Sequence, residues 1–321
     1  RAENRVRATV TLTDASNESE LWSEHFDRPA DCLFEVQDSI VNAIVAAIEP
    51  ALEHAEMQRA LHKPPESLNA WELFHRGLWH SFRFTSEDIE AASRYFHRSA
   101  ALDRNFSRAY AGLSFTHYSR AFLNSAKDID AEIAAACDNG RRSIDCDVRD
   151  AMGHWALGRG LFLSRRHDDA LEAIGRSLEV NPNYAQGHYA RGFIGIHSGR
   201  DEAYEPELDV AQRLSPFDPL LFAMKSSRGV LLAHQGHYAE AAAWAVRATQ
   251  EPNAHFHIYA IAAACLELAG RSDDARNNAK WVLARRPDYT VAVFQRSFPQ
   301  RDESSRQALL SALVSAGIPP S

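Results

Sequence analysis

Cysteine is scarce and widely spaced in this chain, which limits the metal and disulfide chemistry that it can support. The four cysteines are Cys32, Cys137, Cys146 and Cys265. None of them belongs to a C-x-x-C pair or to the Cys and His spacings typical of zinc sites. Isolated thiols in helical sequence are usually buried as small apolar groups. The spacing therefore predicts buried thiols and leaves the redox compartment undetermined.

Excess positive charge and long apolar runs are also missing. The formal net charge is -8, whereas surfaces that bind nucleic acid are usually basic, so we expect no direct contact with nucleic acid. No apolar run reaches about 18 residues, so the sequence predicts no membrane span within these 321 residues. The hydrophobic content of 45% and the charged content of 24% are typical of a globular chain with an ample core.

Recognisable catalytic motifs are absent as well. The sequence contains no G-x-S-x-G, P-loop, G-x-G-x-x-G or H-E-x-x-H pattern. Its fifteen histidines suggest a metal site, but His255 and His257 would point to different faces of a helix, and His75 and His80 are poorly spaced. We therefore predict no catalytic residue, no metal and no cofactor. The alternative, an enzyme in its own right, requires a pocket of charged residues with shifted pKa values.

A repeated unit of 34 residues stands out against this background. The landmarks His154, Leu157, Gly158, Leu161, Ala170, Ile174, Ser177 and Pro182 are followed, 34 residues later, by His188, Arg191, Gly192, Gly195, Tyr204, Leu208, Ala211 and Pro216. This order of large, Leu-Gly, large, Ala and Pro positions is the tetratricopeptide repeat (TPR) pattern, in which each unit is a pair of helices, A and B.

Packing between the two helices of a unit explains the spacing. A glycine at Gly158 lets helix A approach helix B closely, where any Cβ atom would hold the helices apart. The small Ala170 faces it from helix B. Proline at Pro182 ends helix B, because proline lacks the N–H that would continue the helix. The sequence thus specifies how each pair is built as well as how often it recurs.

Similar landmarks extend the pattern from Trp71 to Pro287 and give about six helix pairs. Residues 302–316 predict one further amphipathic helix, which ends at Gly317 and Pro319 and can cover the open end of the last pair. The predicted fold class is mainly α, a TPR-like α–α superhelix of about six helix pairs with a C-terminal capping helix. A small partial α/β segment precedes it.

That N-terminal segment predicts two strands and a helix. Residues 1–13 alternate polar and apolar side chains, and Glu20–Phe26 forms a second strand. A helix capped by Asp31 is expected from Phe34 to about Pro50, and it could continue through residues 53–61. We place the domain boundary at Lys63–Glu66, between a segment of residues 1–62 and a repeat domain of residues 67–321. A hairpin with one helix is not a stable sheet domain by itself, so we expect a preceding segment or a second copy, as in a homodimer, to complete it.

A concave surface lined by A helices is the predicted partner site. Ten residues are expected to line it: Trp71, Phe74, Phe115, Tyr118, Trp155, Arg159, Phe162, Tyr189, Phe193 and His197. An aromatic groove with an occasional Arg or His suits a peptide or a helix from a protein partner. The alternative is that these side chains contact the next repeat or the termini of this chain. Residue patterns alone do not separate the two.

Three N-terminal stretches, Arg5–Asp14, Glu20–Arg28 and Phe34–Ile40, resemble the end of a TolB-like domain that precedes TPR arrays in bacterial signalling proteins. The closing Leu310–Pro319 looks like the terminal helix of the same proteins. In that family the TolB-like and TPR unit follows a class III adenylyl/guanylyl cyclase domain or a winged-helix DNA-binding domain.

The resemblance implies a regulatory, protein-binding role rather than catalysis, because neither cyclase metal-binding aspartates nor a winged-helix recognition element can be located in this chain. An adenylyl cyclase-type signalling protein is our first expectation, and the regulatory arm of a winged-helix transcriptional regulator is the alternative. A cytoplasmic location is expected, with a periplasmic arm of a membrane-anchored regulator as the alternative.

Overall fold

A two-stranded hairpin lies at the start of the chain. The computed structural model describes residues 5–13, 18, 20–29, 41, 44 and 51–321. Strands β1 (Arg5–Thr13) and β2 (Glu20–Pro29) pair antiparallel, with Ala8 opposite Phe26. The face with Thr9 and His25 is exposed, whereas Phe26 on the other face is buried. Both predicted strands are confirmed, and the second is longer than expected.

The helix predicted from Phe34 to about Pro50 falls mostly outside the described residues, as do Asp31 and Cys32. Its two described positions, Val41 and Ile44, are helical.

Helix α1 (residues 51–61) connects the N-terminal segment to the repeats. Its Met57 and Ala60 are buried, and the indole of Trp71 donates a hydrogen bond to Glu56 at 2.7 Å. A short 3-10 helix, Pro65–Ser67, follows at the predicted break. Because α1 packs on the first repeat, contacts cross the proposed boundary, and the division into residues 1–62 and 67–321 stays a prediction.

Twelve helices then form six consecutive pairs, as the repeat pattern predicts. In chain order they are α2 (Ala70–Ser81) with α3 (Ser86–Leu102), α4 (Ser107–Phe122) with α5 (Ile129–Cys146), α6 (Ala151–Leu163) with α7 (His167–Val180), α8 (Ala185–His197) with α9 (Asp201–Leu214), α10 (Leu221–His234) with α11 (Tyr238–Thr249), and α12 (Phe256–Leu268) with α13 (Ser272–Arg285). The two helices of a pair follow each other in the chain and pack together, and successive pairs stack into a TPR-like α–α superhelix.

The close approach predicted at Gly158 is confirmed. A Cβ atom at Gly158 would lie 2.7 Å from Cδ1 of Ile174 and 3.1 Å from the carbonyl oxygen of Ala170. In the next pair the ring of Tyr204 occupies the space above Gly195, where a Cβ atom would lie 2.3 Å from the ring. The large Tyr204 is therefore accommodated by the small residue facing it.

Two further helices complete the described chain. Helix α14 (Val291–Ser297) was not predicted, whereas α15 (Glu303–Ala316) is the predicted capping helix. Asp302 caps its start, and Gly317, with a φ of 104°, ends it in the left-handed region. Helix α15 packs against α12 and α13 and so covers the last pair.

The superhelix closes on itself, which the sequence did not predict. The C-terminal end of α4 meets the last repeat: His257 Nε2 donates to the carbonyl of Phe122 at 2.8 Å, and Arg286 Nη1 donates to that of Leu123 at 2.8 Å. The hydroxyl of Ser297 also donates to the Phe122 carbonyl, at 2.6 Å. Since repeat two touches repeat six, the concave face becomes the interior of the molecule.

Within the described part of the chain, no helix combines the length and the apolar character needed to cross a membrane.

Candidate functional site: the axial cavity

A small cavity lies on the axis of the superhelix, where the A helices face one another. We call it the axial cavity. It has a volume of about 30 Å³ and is lined by side chains of α4, α6, α8, α10 and α12, together with Phe84, His255 and Phe298. These A helices reach the axis because every B helix lies outside its partner. The axial cavity is thus what remains of the concave face.

Most of the predicted groove residues come together here. Six of the ten line the axial cavity: Phe115, Tyr118, Arg159, Tyr189, Phe193 and His197. Trp155 packs against Phe115, and Phe162 packs against Phe193, with ring centroids 5.0 and 4.9 Å apart.

The remaining two predicted residues, Trp71 and Phe74, lie in the first pair. Both pack against Phe106, at centroid distances of 6.2 and 5.7 Å, away from the other eight.

The ten residues do not form an open groove in this structure. Nine of them are at most 5% exposed, and Trp71 is half-buried. The reason is the closure between α4 and the last repeat, which covers the face that the A helices share. The alternative stated above, contact with other segments of this chain, describes their surroundings. Binding of a partner by these residues stays a prediction.

The connection between α14 and α15, residues 298–302, crosses this face, and we call it the closing segment. The ring of Phe298 lies 5.2 Å from those of Phe122 and His257 and stacks on His197 at 5.7 Å. Its backbone is held at two points. His167 Nε2 donates to the carbonyl of Pro299 at 2.7 Å, and the N–H of Arg301 donates to the carbonyl of His197 at 2.9 Å.

An exposed ion-pair cluster fixes the end of the closing segment. Arg301 and Arg200 both bind the carboxylate of Asp168, each at 2.8 Å. The hydrogen bond from Arg301 lowers the pKa of Asp168, and the charge of Arg200 acts in the same direction. Asp168 lies in the first turn of α7, where the sequence indicates only a favourable charge at a helix start. Its partner Arg301 is too distant in sequence for a local pattern to reveal.

Arg159 is the polar centre of the axial cavity. Its Nη2 donates to the hydroxyl of Tyr118, and its Cζ lies 4.5 Å from the ring centre of Tyr118 and 4.9 Å from that of Phe193. Nε and Nη1 are buried and have no acceptor among the described residues. Two other buried atoms on the cavity wall, Ser226 Oγ and His255 Nδ1, also lack a described partner.

Burial determines which of the side chains that line the cavity are charged. It lowers the pKa of His197 and of His255 to about 3, so both imidazoles are neutral at pH 7. It raises the pKa of Tyr118, which keeps that hydroxyl protonated. Arginine stays protonated in proteins. Arg159 is therefore the charged group among the described residues that line the cavity.

The two histidines singled out in the sequence, His255 and His257, pack against aromatic rings, and His257 also forms hydrogen bonds within the chain. His257 Nε2 donates to the Phe122 carbonyl, so its Nδ1 accepts a hydrogen bond from the hydroxyl of Tyr289 at 2.7 Å. His255 lies before α12 with its ring 5.2 Å from that of Phe84. Within the described ranges, no group of three or more His, Cys, Asp or Glu side chains is placed to hold a metal ion. Of the thiols, Cys137 and Cys265 are buried, as predicted, whereas Cys146 is partly exposed.

An open cleft of about 490 Å³ lies elsewhere, along the turns that lead from one pair to the next. Its polar groups include Ser107 and Asp150, which hydrogen bond to each other at 2.8 Å. Val180 lines it, and Val148 is 61% exposed on the turn before α6. The repeat pattern gives no sign of this cleft, because turn residues vary freely between units.

Comparison with known proteins gives a sequence relative. No known family profile matches the chain. "Putative adenylate cyclase 3" of Rhizobium meliloti (strain 1021) is 28% identical over 176 residues, which cover 54% of this chain and 30% of that protein. The chain thus spans about a third of the length of the relative that it matches.

Solved structures share the helical fold at low identity. A chain of the APC/C hetero-tetramer Cut9–Hcn1 aligns with 84% of this chain and 47% of its own length, at 14% identity and a TM-score of 0.55. TTC0263, a thermophilic TPR protein of Thermus thermophilus, aligns with 61% of this chain and 98% of its own, at 19% identity and a TM-score of 0.47. YrrB, a TPR protein with an unusual peptide-binding site, aligns with 60% and 93%, at 16% identity and a TM-score of 0.36.

Proposed function

We propose that this chain is a non-catalytic, regulatory region that binds a protein partner within a bacterial signalling protein of the adenylate cyclase type. The TPR-like superhelix supports the interaction role, because such folds commonly bind peptide or protein partners. The similarity to a putative adenylate cyclase over 176 residues supports the signalling context. The cytoplasmic location expected from the sequence belongs to this proposal.

The closing segment is the observation that supports a peptide-binding role. It is a short non-helical peptide that lies on the A-helix face. Phe298 fills an aromatic pocket, while the Pro299 carbonyl and the Arg301 N–H pair with His167 and with the His197 backbone. Backbone pairing combined with a side-chain pocket is a general mode of peptide recognition. We infer that a partner peptide with a Phe-Pro pair binds this face in place of the closing segment.

Loosening the closing segment tests this exchange. In the full chain, Phe298→Ala combined with Arg301→Ala removes the ring and the ion pair that hold the segment. A labelled peptide of residues 294–301 should then bind about tenfold more tightly than it binds the wild type, measured by fluorescence anisotropy. The reason is that the wild-type segment competes from within the chain at an effective concentration of about millimolar.

Arg306→Ala is the matched control for that experiment. Arg306 lies on α15 and pairs with Glu303 of the same helix, so its loss leaves the closing segment in place. This variant should bind the peptide as weakly as the wild type does. Equal affinities for the wild type, the control and the double variant would contradict peptide binding on the A-helix face.

The signalling part of the proposal has a separate test. The whole polypeptide that carries this chain should convert ATP to cyclic AMP, and the Phe298 and Arg301 double variant should change that rate severalfold. Absence of cyclic AMP formation by the wild-type polypeptide would contradict the adenylate cyclase assignment. The peptide-binding result would be unaffected by that outcome.

A further inference from the structure

Arg159 places a guanidinium with unused hydrogen-bond donors inside the axial cavity. The side chain is 5% exposed. Nη2 is occupied by the hydroxyl of Tyr118, whereas the buried Nε and Nη1 have no acceptor among the described residues. A buried donor without an acceptor loses its hydration and gains nothing in exchange. Such a group on a cavity wall indicates that a bound atom or molecule supplies the missing acceptor.

Two more unpaired atoms share the same space. Ser226 Oγ on α10 and His255 Nδ1 before α12 both line the axial cavity and have no described protein partner. Ser226 is 2% exposed. Buried polar atoms are normally paired, so several unpaired ones around one cavity are not expected from packing alone. Together with Arg159, they place unpaired polar atoms from three repeats on the wall of one cavity.

No acidic side chain of the described residues lines the axial cavity beside Arg159. The imidazoles of His197 and His255 are neutral for the reason given above, and Arg159 retains its proton. The buried carboxyl of Asp218 is engaged elsewhere, accepting hydrogen bonds from the N–H of Leu220 at 2.8 Å and from Ser215. The rings of Tyr118 and Phe193 attract the guanidinium but carry no negative charge. A buried cation normally has an anionic partner.

We propose that the axial cavity is a binding site for one small monovalent anion, held by the free donors of Arg159 and by the hydroxyl of Ser226. A single arginine matches a single negative charge. The volume of about 30 Å³ is room for about two water-sized groups, which admits chloride or formate and excludes a larger organic acid. Halide and small carboxylate share the required chemistry, and the experiment separates them.

Thermal unfolding of the full chain, with affinity measured by calorimetry, tests the site. Sodium chloride and sodium formate are titrated at constant ionic strength against sodium gluconate, whose anion is too large for the cavity. The wild type should gain stability saturably with chloride, with formate or with both. Arg159→Met should weaken that affinity by about tenfold or more, since it removes the charge while keeping an apolar stem.

Arg228→Met is the matched control. Arg228 is a largely buried arginine on α10, but it is paired with Glu205 and Asp209. Its loss should lower stability and leave the anion response unchanged.

Ser226→Ala is a second variant at the site and keeps the test decisive if Arg159→Met does not fold. Because its hydroxyl has no described protein partner, the alanine variant should fold and bind the anion a few-fold more weakly.

Three results would overturn the proposal. One is an equal response of the wild type to chloride, formate and gluconate, which is the behaviour of general salt stabilisation with water in the cavity. Another is an Arg159→Met variant that binds the anion as tightly as the wild type does. The third is a Ser226→Ala variant that binds the anion as tightly as the wild type does. This result alone would overturn the anion site if Arg159→Met cannot be purified.

Discussion

The A and B helices of each pair differ in how much of their surface is buried. In the third pair, twelve of the thirteen residues of α6 are buried, whereas α7 buries seven of fourteen. Helix α7 is amphipathic, with one face on its partner and one in solvent. A helix buried all round is a core helix. The comparison shows that the face which lines an open groove in an extended solenoid has become core here.

The difference has a visible cause in the closing contacts. Hydrogen bonds from His257 and Arg286 join repeat six to the end of α4, and the closing segment packs Phe298 between them. Aromatic and imidazole rings therefore collect on the inner, A-helix side. The outer side carries exposed ion pairs within single B helices, such as Arg176 with Glu179, which contribute little to stability. Changes on the inner side should have the larger effects.

Acidification is the strongest test of this contrast. Burial lowers the pKa of His75 to about 4 and those of His197 and His255 to about 3, and it lowers that of His257 well below its usual value. As the pH falls below about 6.5, the histidines of the unfolded chain bind protons, whereas the buried histidines of the folded chain stay neutral. The free energy of unfolding therefore decreases. Buried Asp218, with a pKa raised to about 6, acts in the opposite direction over part of this range.

Between pH 7 and pH 5 the net loss of unfolding free energy should be on the order of 5 kcal/mol, because four histidines outweigh one carboxyl. Urea unfolding across this range measures it. His237→Ala is the control, because this imidazole is 57% exposed at the start of α11, outside the inner A-helix face, and its removal should change the unfolding free energy little. A stability that stays constant from pH 7 to pH 5 would show that the inner histidines are hydrated.

Deleting one buried ring and one exposed ring tests the same contrast. Phe298→Ala deletes a buried ring of the closing segment and should cost about 3–5 kcal/mol of unfolding free energy, as for other buried aromatic side chains. Phe217→Ala deletes a ring that is 95% exposed and should change stability by less than about 0.5 kcal/mol. Chemical unfolding of both variants gives the difference. Equal losses would mean that the closing segment does not pack on the A helices.

Two glycines of the third pair give the smallest contrast. Gly158→Leu forces a side chain into the contact with Ile174 and should cost about 1–3 kcal/mol, seen as a melting temperature several degrees lower. A Cβ atom at Gly175, on the outer helix α7, meets nothing within 4 Å. Gly175→Ala should therefore raise stability by about 0.5–1 kcal/mol through helix propensity. A neutral Gly158→Leu would contradict the repeat register.

Much of the fold could be predicted because its signals are local. Gly158 and Ala170 specify the contact within one pair, and Asp302 and Gly317 mark the start and the end of α15. Helix α14 was not predicted, because it is only seven residues long and depends on distant partners. One of these contacts is the hydrogen bond from the Ser297 hydroxyl to the carbonyl of Phe122. A short helix of this kind has no periodic pattern long enough to identify it.

Part of the candidate site was predicted: six of the eighteen residues that line the axial cavity belong to the ten expected in the groove, whereas the others, including Ser226, His255 and Phe298, were missed. The sequence identifies Arg159 and its aromatic neighbours as a shared A-helix face, because their spacing repeats with the 34-residue unit. It does not show that this face is closed. Closure depends on small rotations between successive pairs, which add up until α4 meets α12. It also depends on ion pairs such as Arg301 with Asp168, whose partners are 133 residues apart.

Spacing and side-chain size within about 34 residues are enough to predict the helix pairs, their order and much of the inward-facing set. The burial of the inward face, the position of residues 298–302 across it and the free donors of Arg159 in a cavity become visible in the folded molecule alone. The two sets of features differ in the sequence separation of the groups that produce them. Helix formation and pairing are set by near neighbours, whereas closure and charge compensation are set by groups that meet only after the whole superhelix has wound.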